Sequence, residues 1–362
     1  MRIGLNLLYL IPQQVGGTQT YAEHLVGALA EEGPQHEYCL FVNSEGASLP
    51  WPRSPNFRTV VSRFPPRLRS ARYAHEQLVL PRRLRKESID VVHSLGYVSP
   101  LHVSCASVVS IHDALHVGYP MSAARRALLG FFVTRSARRC DRVITVSEFS
   151  KRELVEVLGV RPERVRVVPS GVEERFSPET EWDSARRRLG LGPRPYALAL
   201  GSRIGRKNLG ILRLAARRLA AVGVELVTAG SGRGYMRAGE GPPGRALGYV
   251  PDELMPGLYA GARALVLPSL YEGFGLPCLE AMASGTPVVA SDRTALPEVC
   301  GGAALLVNPE DEHAVAAALV AAASEPAVRE PLIAAGLAHA TGHRWRRSAE
   351  LTDQVMSELL DG

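Results

Sequence analysis

The chain has 362 residues, 46% of them hydrophobic, and a formal net charge of +6. That length exceeds one ordinary core, so two domains are expected, and no apolar run approaches the roughly 20 residues that span a bilayer. The five cysteines, at 39, 105, 140, 278 and 300, are scattered and form no CxxC pair, which argues for a reducing cytosol and against structural zinc or a disulfide framework.

The positive charge is almost wholly arginine, since lysine occurs only at 86, 151 and 207. Arg67, Arg69, Arg72, Arg82, Arg83, Arg85 and Lys86 crowd one segment, and Arg125, Arg126, Arg135, Arg138 and Arg139 another. Such clusters suit nucleic acid or an anionic membrane surface. A solvated helix face is the plainer alternative.

In chain order, the apolar segment from Met1 to Ile11 runs into Pro12 and Gln13 without a small-residue cleavage site, and reads as a strand over 2–8 rather than a signal peptide. A helix follows over 18–32, strands over 37–42 and 58–62, a helix over 70–86, strands over 89–93 and 106–111, a helix over 123–138, a strand over 142–146 and a helix over 148–158. A second series has strands over 165–168, 195–200, 224–229, 245–248, 263–267, 287–290 and 304–307, with helices over 182–189, 207–222, 252–261, 277–284, 312–323, 327–340 and 345–361. Short strands alternating with longer helices indicate parallel sheets covered on both faces.

Pro169-Ser-Gly-Val-Glu-Glu-Arg-Phe-Ser-Pro178 has the composition of an inter-domain connection. The expected division is 1–170 and 171–344, with a helix over 345–362 packing back on the first domain. The fold class is therefore α/β, as two Rossmann-like parallel-sheet domains. Strand C-termini carry the ligand crevices of such sheets, which would face a shared central cleft.

Gly16-Gly17-Thr18 closes the loop after the first strand, with Thr18 as the expected N-cap and the glycines allowing close approach of a ligand, or forming a plain turn. His112-Asp113 follows the strand 106–111, where a histidine can hydrogen-bond a sugar hydroxyl or simply cap the strand. Gly201-Ser-Arg-Ile-Gly-Arg-Lys-Asn208 follows the strand 195–200 and sets Arg203 and Lys207 at its C-terminal end, where two fixed cations can neutralise a diphosphate without a metal. Ala229-Gly-Ser-Gly-Arg-Gly234 lacks the full spacing of a dinucleotide fingerprint and reads as a wall of a nucleotide pocket. Gly248-Tyr-Val-Pro-Asp252 offers backbone polar groups to a base.

Glu272-Gly-Phe-Gly-Leu-Pro-Cys-Leu-Glu280 is the most informative stretch. It joins the apolar strand ending at Ser269 to a helix with Pro277 at its first position and Gly285 at its end. Amides at a helix start bind anions, and phosphate is the usual one. Two carboxylates beside phosphate would repel it, so they are expected to face neutral hydroxyls. A nucleotide sugar supplies both partners, although solvated glutamates on an ordinary strand–loop–helix would read the same locally. No DxD pair follows a strand, no His/Cys/Asp group has ligand spacing, and GxSxG and GxxxxGK[ST] loops are absent, so a catalytic metal is not implied and serine hydrolases and P-loop enzymes are excluded.

Taken in order, these pieces resemble the retaining GT-B glycosyltransferases of family 4, the glycosyl transferases group 1. The resemblance also rests on Val143-Ile-Thr-Val-Ser-Glu-Phe-Ser-Lys-Arg-Glu153, Pro169-Ser-Gly-Val172, Ser284-Gly-Thr-Pro-Val-Val-Ala-Ser-Asp292 and Leu296-Pro-Glu298. It implies that Arg203 and Lys207 stabilise the departing diphosphate and that Glu272 meets the 3- and 4-hydroxyls of the transferred sugar. Glu280 would hold the ribose, and His112 would lie by the sugar 6-hydroxyl. Amides of Phe274, Gly275 and Leu276, with Gly17, would face phosphate and sugar, and Gly16, Gly201, Ser202, Gly230, Tyr249 and Val250 would complete the donor pocket. The donor would be a GDP- or UDP-linked hexose, with dTDP also compatible, the mechanism a metal-independent front-face displacement, and domain closure would accompany donor binding.

The acceptor falls to the N-terminal domain, with Tyr73, His75, Glu76 and Tyr97 as candidates. The resemblance implies a role in polysaccharide, glycolipid or glycosylated-metabolite synthesis, mannosyl transfer among the activities. The scattered cysteines suit a cytoplasmic location, and the Arg-rich segments could dock the enzyme on the inner face of an anionic membrane or could equally reflect composition. A sugar-nucleotide 2-epimerase of the same architecture and an Arg-rich nucleic-acid binder are the alternatives. Aromatics are only 6%, which disfavours the latter.

Overall fold

Apolar runs bounded by turn residues become parallel strands in both halves of the chain. Tyr196–Leu200 and Val288–Ser291 are buried at every position, as strands covered on both faces must be. The computed structural model describes residues 1–12, 16–33, 35–114, 123–201, 205–230 and 243–360. It divides into two units, Met1–Ser170 with Trp345–Gly362, and Gly171–Arg344.

The first unit holds a seven-stranded sheet ordered β3-β2-β1-β4-β5-β6-β7. Its strands are β1 (Arg2–Asn6), β2 (Glu37–Asn43), β3 (Phe57–Ser62), β4 (Val91–Ser94), β5 (Ala106–Ser110), β6 (Arg142–Thr145) and β7 (Val165–Val167). The second holds a six-stranded sheet ordered β10-β9-β8-β11-β12-β13. Its strands are β8 (Tyr196–Leu200), β9 (Glu225–Ala229), β10 (Arg245–Gly248), β11 (Ala262–Leu267), β12 (Val288–Ser291) and β13 (Leu305–Val307). Neighbouring strands pair in parallel throughout.

Both sheets wind outward from their first strand in opposite directions, so strand order reverses between β1 and β4 and again between β8 and β11. Loops leaving the carboxyl ends at such a reversal splay apart and leave a crevice. This topology sets the place of every candidate residue that follows.

The first unit's helices are α1 (Gly17–Glu32), α2 (Arg69–Ala74), α3 (Leu80–Lys86), α4 (Ala123–Arg139) and α5 (Glu148–Leu158). Those of the second are α6 (Trp182–Arg188), α7 (Arg213–Ala221), α8 (Met255–Ala260), α9 (Leu276–Ala283), α10 (Leu296–Cys300), α11 (Glu312–Ser324) and α12 (Pro326–Thr341). In the second core, Ala199, Ala264, Val266 and Val289 of the sheet meet Leu219 of α7 and Val315 and Leu319 of α11. Alanines on the strands let these helices approach closely.

The last helix, α13 (Trp345–Ser357), belongs to the first unit. Trp345 lies 5.9 Å from the Tyr21 ring and 5.4 Å from that of His24, both on α1. Arg346 pairs with Glu32 at 3.2 Å and Asp353 with His36 at 2.9 Å.

Four local expectations need correction. The strand over 165–168, given with the second series although the expected boundary at 170/171 put it in the first domain, pairs with β6 and closes the first sheet. The helix over 70–86 is interrupted by a π-helical turn, His75–Val79. Pro81 has no N–H to return to the preceding turn, which widens it. Thr18 is not an N-cap: α1 begins at Gly17, and Gly16 caps it at φ 66° with no side-chain bond. The helix over 207–222 starts as 3-10 turns, Gly205–Lys207 and Leu209–Leu212, divided by Asn208 at φ 51°. The short α10 was not anticipated as a helix; Pro297 starts it and Gly301 ends it in a left-handed conformation.

Candidate donor site at the ends of β8 and β11

β8 ends at Leu200, and Gly201 follows at φ 155°. A Cβ there would stand 3.0 Å from Cγ of Lys207, so the missing side chain lets the Lys207 stem lie back across the strand end. Lys207 closes the 3-10 turn, which Asn208 anchors by donating to the Pro309 carbonyl at 2.6 Å. Ser202 and Arg203 lie outside the described residues.

β11 ends at Leu267 and leads to Glu272. Although 65 residues apart in sequence, Lys207 Nζ donates to Glu272 Oε1 at 2.5 Å. Arg206 Nη1 donates to Glu272 Oε2 at 3.3 Å and to the Tyr271 carbonyl at 3.1 Å. Ser269 Oγ adds a bond to Oε1 at 2.7 Å, and the Glu272 amide donates to Thr294 Oγ1 at 3.1 Å. Glu272 is 8% exposed. Burial alone would raise its carboxyl, but the charges of Lys207 and Arg206 and the bonds from Lys207 and Ser269 outweigh burial and hold it below the usual carboxylate range.

The glycine loop turns the chain into α9. Gly275 adopts φ 111°, and a Cβ on it would come within 2.5 Å of Leu296 Cδ2, so both conformation and packing require glycine. Among the described residues the amides of Phe274, Gly275 and Leu276 donate to no other group, which leaves them open at the positive end of a helix. Pro277 falls at the second helical position and Glu280 in the second turn, each one step later than the sequence reading.

Glu280 faces a different neighbourhood. Tyr259 of α8 donates its hydroxyl to Oε2 at 2.5 Å. Burial pushes the Glu280 carboxyl up to about 7, with Asp252 and Glu173 raising it further while the Tyr259 bond and Arg175 pull it down. The two acids of the loop thus differ in charge state near neutrality: Glu272 is locked as an anion and Glu280 is poised to titrate.

Gly230 follows β9 at φ 137°, and its amide donates to the Gly248 carbonyl at 2.8 Å. With Gly201 and Thr228 these glycines edge a small depression at the carboxyl end of the sheet. Val250 is buried, whereas Tyr249 is 64% exposed.

The first unit carries the other candidates at the carboxyl ends of β1 and β5. Gly17 is exposed at the start of α1, with open space where a Cβ would stand. His112 is partly buried, its ring 4.3 Å from Tyr21 and 5.7 Å from Tyr97. Its Nε2 is shielded and has no partner among the described residues. Burial pushes the imidazole down to about 4, so it is neutral at neutral pH.

Of the acceptor candidates, Tyr73 is buried against Phe132, and His75 stacks on Phe64 at 4.7 Å. Glu76 is buried beside Arg72 at 3.8 Å, with its carboxyl raised to about 7 chiefly by burial. Tyr97 holds φ 66°.

Two family models match this frame. Glycosyltransferase Family 4 matches residues 15–176, and Glycosyl transferases group 1 matches residues 194–325. The chain belongs to this glycosyltransferase family.

The O-antigen chain mannosyltransferase B of Escherichia coli is 34% identical over 231 residues, covering 58% of this chain and 58% of that relative. The chain spans about half the length of the curated relatives it matches. Among solved structures, sucrose-phosphate synthase from Thermosynechococcus elongatus superposes with a TM-score of 0.78 at 22% identity, covering 100% of this chain and 99% of that one. HepE of Anabaena, in complex with UDP-glucose, has a TM-score of 0.75 at 16% identity and covers 100% of both chains. The fold of this family member is therefore GT-B, two Rossmann-like parallel-sheet domains.

Sequence reasoning missed Arg206, Ser269 and Thr294, which hold Glu272, and Tyr259, which holds Glu280. Arg206 and Ser269 sit within the motifs themselves, so proximity was a usable signal for them. Tyr259 and Thr294 lie 21 and 22 residues from the acids they bind, and nothing in spacing marks them.

Proposed function

We propose that the protein transfers a hexosyl group from a GDP- or UDP-linked sugar to an acceptor hydroxyl, with retention at the anomeric carbon. The observation that carries this reading is the Lys207–Glu272 pair, set beside open amides at the start of α9. Cation, amides and acid are the three partners that diphosphate and sugar hydroxyls require.

In this reading Lys207, with Arg203, neutralises the departing diphosphate. Phe274, Gly275 and Leu276 offer amides to phosphate and sugar, Glu272 accepts from the 3- and 4-hydroxyls, and Glu280 accepts from the ribose. Gly201, Ser202, Gly230, Tyr249 and Val250 form walls for the nucleotide. In the first unit, Gly16 and Gly17 serve phosphate, neutral His112 serves the sugar 6-hydroxyl, and the acceptor is bound near His75 and Tyr97; Tyr73 and Glu76, expected to face the acceptor, are buried and offer it no surface. The acceptor oxygen bonds to C1 on the face the diphosphate leaves, the C1–oxygen bond to phosphate breaks, and the acceptor proton passes to a phosphate oxygen. Positive charge fixed on the leaving group replaces the usual role of a metal. Similarity to a mannosyltransferase and to a UDP-glucose complex supports the donor class and a place in polysaccharide or glycolipid synthesis.

Incubation with UDP- and GDP-linked hexoses over a panel of hydroxyl acceptors tests the reading. Proton NMR should show a product with the donor's anomeric configuration, and the yield should survive EDTA. An inverted product contradicts retention, loss with EDTA contradicts metal independence, and isomerised donor without acceptor identifies a 2-epimerase.

No helix among the described residues is long and apolar enough to cross a membrane. Leu68 and Leu78 are 56% and 62% exposed beside exposed Arg69, Arg82, Arg85 and Lys86. A basic surface with protruding leucines suits peripheral contact with an anionic membrane, at its cytoplasmic face. The expected result is co-sedimentation with phosphatidylglycerol vesicles at low salt, lost at high salt; no binding at low salt ends the idea.

A further inference from the structure

We propose that Tyr259 is the positioning residue of the nucleotide subsite, fixing the Glu280 carboxylate so that its free oxygen reads the ribose hydroxyls of the donor. The proposal rests on the assignment of Glu280 to ribose above.

Tyr259 is 0% exposed, and its hydroxyl donates to Glu280 Oε2 at 2.5 Å. Its carbonyl accepts from Thr286 Oγ1 at 2.7 Å, and its ring lies edge-on to Phe176 at 5.7 Å. The residue is thus held from the backbone and from the ring face, and a buried tyrosine so held has one place for its hydroxyl. Burial and the neighbouring Glu280 charge push the phenol well above its ordinary value, so it stays protonated and acts as a donor. Glu280 Oε1 takes no bond among the described residues, while the side chain remains partly exposed. One oxygen is therefore anchored and the other offered. An unanchored glutamate would pay rotamer entropy on every binding event; an anchored one does not.

The groups facing Glu280 are Tyr259 on α8, Asp252 in the turn before it, and Glu173 and Arg175 in the segment that opens the second unit. Arg175 is itself engaged by Glu173 at 2.8 Å and Asp252 at 2.5 Å. Two carboxylates against one shared guanidinium leave Glu280 easily protonated, in keeping with its rise to about 7. Ribose binding favours the ionised form, so it weakens as pH falls through that value.

The full chain is titrated by calorimetry with UDP and GDP, each beside its 2′,3′-dideoxy analogue. The unaltered protein should bind the ribose form of its preferred diphosphate roughly tenfold or more tightly than the dideoxy form, as expected for a hydrogen bond to a charged group. In Tyr259→Phe that ratio should collapse toward one, with the dideoxy affinity little changed. A ratio kept in full by a folded Tyr259→Phe overturns the proposal while leaving the Glu280 assignment intact. No ratio in the unaltered protein overturns the Glu280 assignment and this inference together. If Tyr259→Phe does not fold, Phe176→Leu, which removes the ring contact that holds Tyr259 in place, should lower the ratio, and a ratio kept in full overturns the proposal.

Discussion

Replacing Lys207 by alanine is expected to lower kcat about 100- to 1,000-fold, the usual cost of losing one preorganised donor to developing negative charge. An ammonium has three donors. The structure commits one of them to Glu272 Oε1 and stores the group at the strand end before any ligand arrives. In the proposed reading the remaining two are available to a diphosphate without reorganisation, which would make the charge effective. Arginine at 207 should not restore the rate, because a planar fork on a longer stem cannot share Oε1 at 2.5 Å with Ser269 and reach phosphate from the same place. Single-turnover measurement with saturating donor is the check, and unchanged turnover in Lys207→Ala refutes the assignment.

Glu272→Gln is expected to lose both activity and stability. The isosteric amide keeps the volume but leaves Lys207 and Arg206 facing a neutral group in a site where Glu272 is 8% exposed. Breaking a buried pair by neutralising one partner costs about 3–5 kcal/mol, and partial exposure of Arg206 places this case at the lower end. About 3 kcal/mol corresponds to a fall in Tm of roughly 6–12 °C for a unit of this size. The pH dependence has a definite sign. The folded carboxyl lies below its unfolded value, so its stabilisation is present above the unfolded pKa and is lost as pH falls through the folded one. Thermal melts from pH 7 down to pH 3 should show a smaller gap between Glu272→Gln and the unaltered protein at the acid end. A gap that is constant or widens on acidification contradicts the ion-pair account.

Much of the fold was legible because it depends on local pattern. β8, β11 and β12 are apolar runs too short for helices and bounded by Gly and Pro, and a strand buried on both faces has no other signature. The loop from Glu272 to Glu280 was legible because Gly275, at φ 111° against Leu296, is demanded by backbone geometry, and Pro277 suits the first turn of a helix. Partnerships across long sequence separations were not. That Lys207 would bind Glu272 directly depends on β8 and β11 lying side by side, which is a property of topology. The π-helical turn at His75–Val79 was hidden because every residue in it is an acceptable helix former until Pro81. β7 was given with the second series because it stands next to the connecting segment in sequence, although the expected boundary at 170/171 already put it in the first domain; its pairing with β6 is fixed by register. Arg203 and Ser202 fall outside the described residues, so their roles stay with the proposal.

A crystal structure of the protein with its nucleotide-sugar donor bound is the most direct test of the whole account. The pyrophosphate should lie against Lys207 and the amides of Phe274 to Leu276, with Glu272 within hydrogen-bond distance of the hexose hydroxyls and Glu280 on the ribose. A pyrophosphate lodged away from Lys207, or either glutamate directed to bulk solvent, would contradict it.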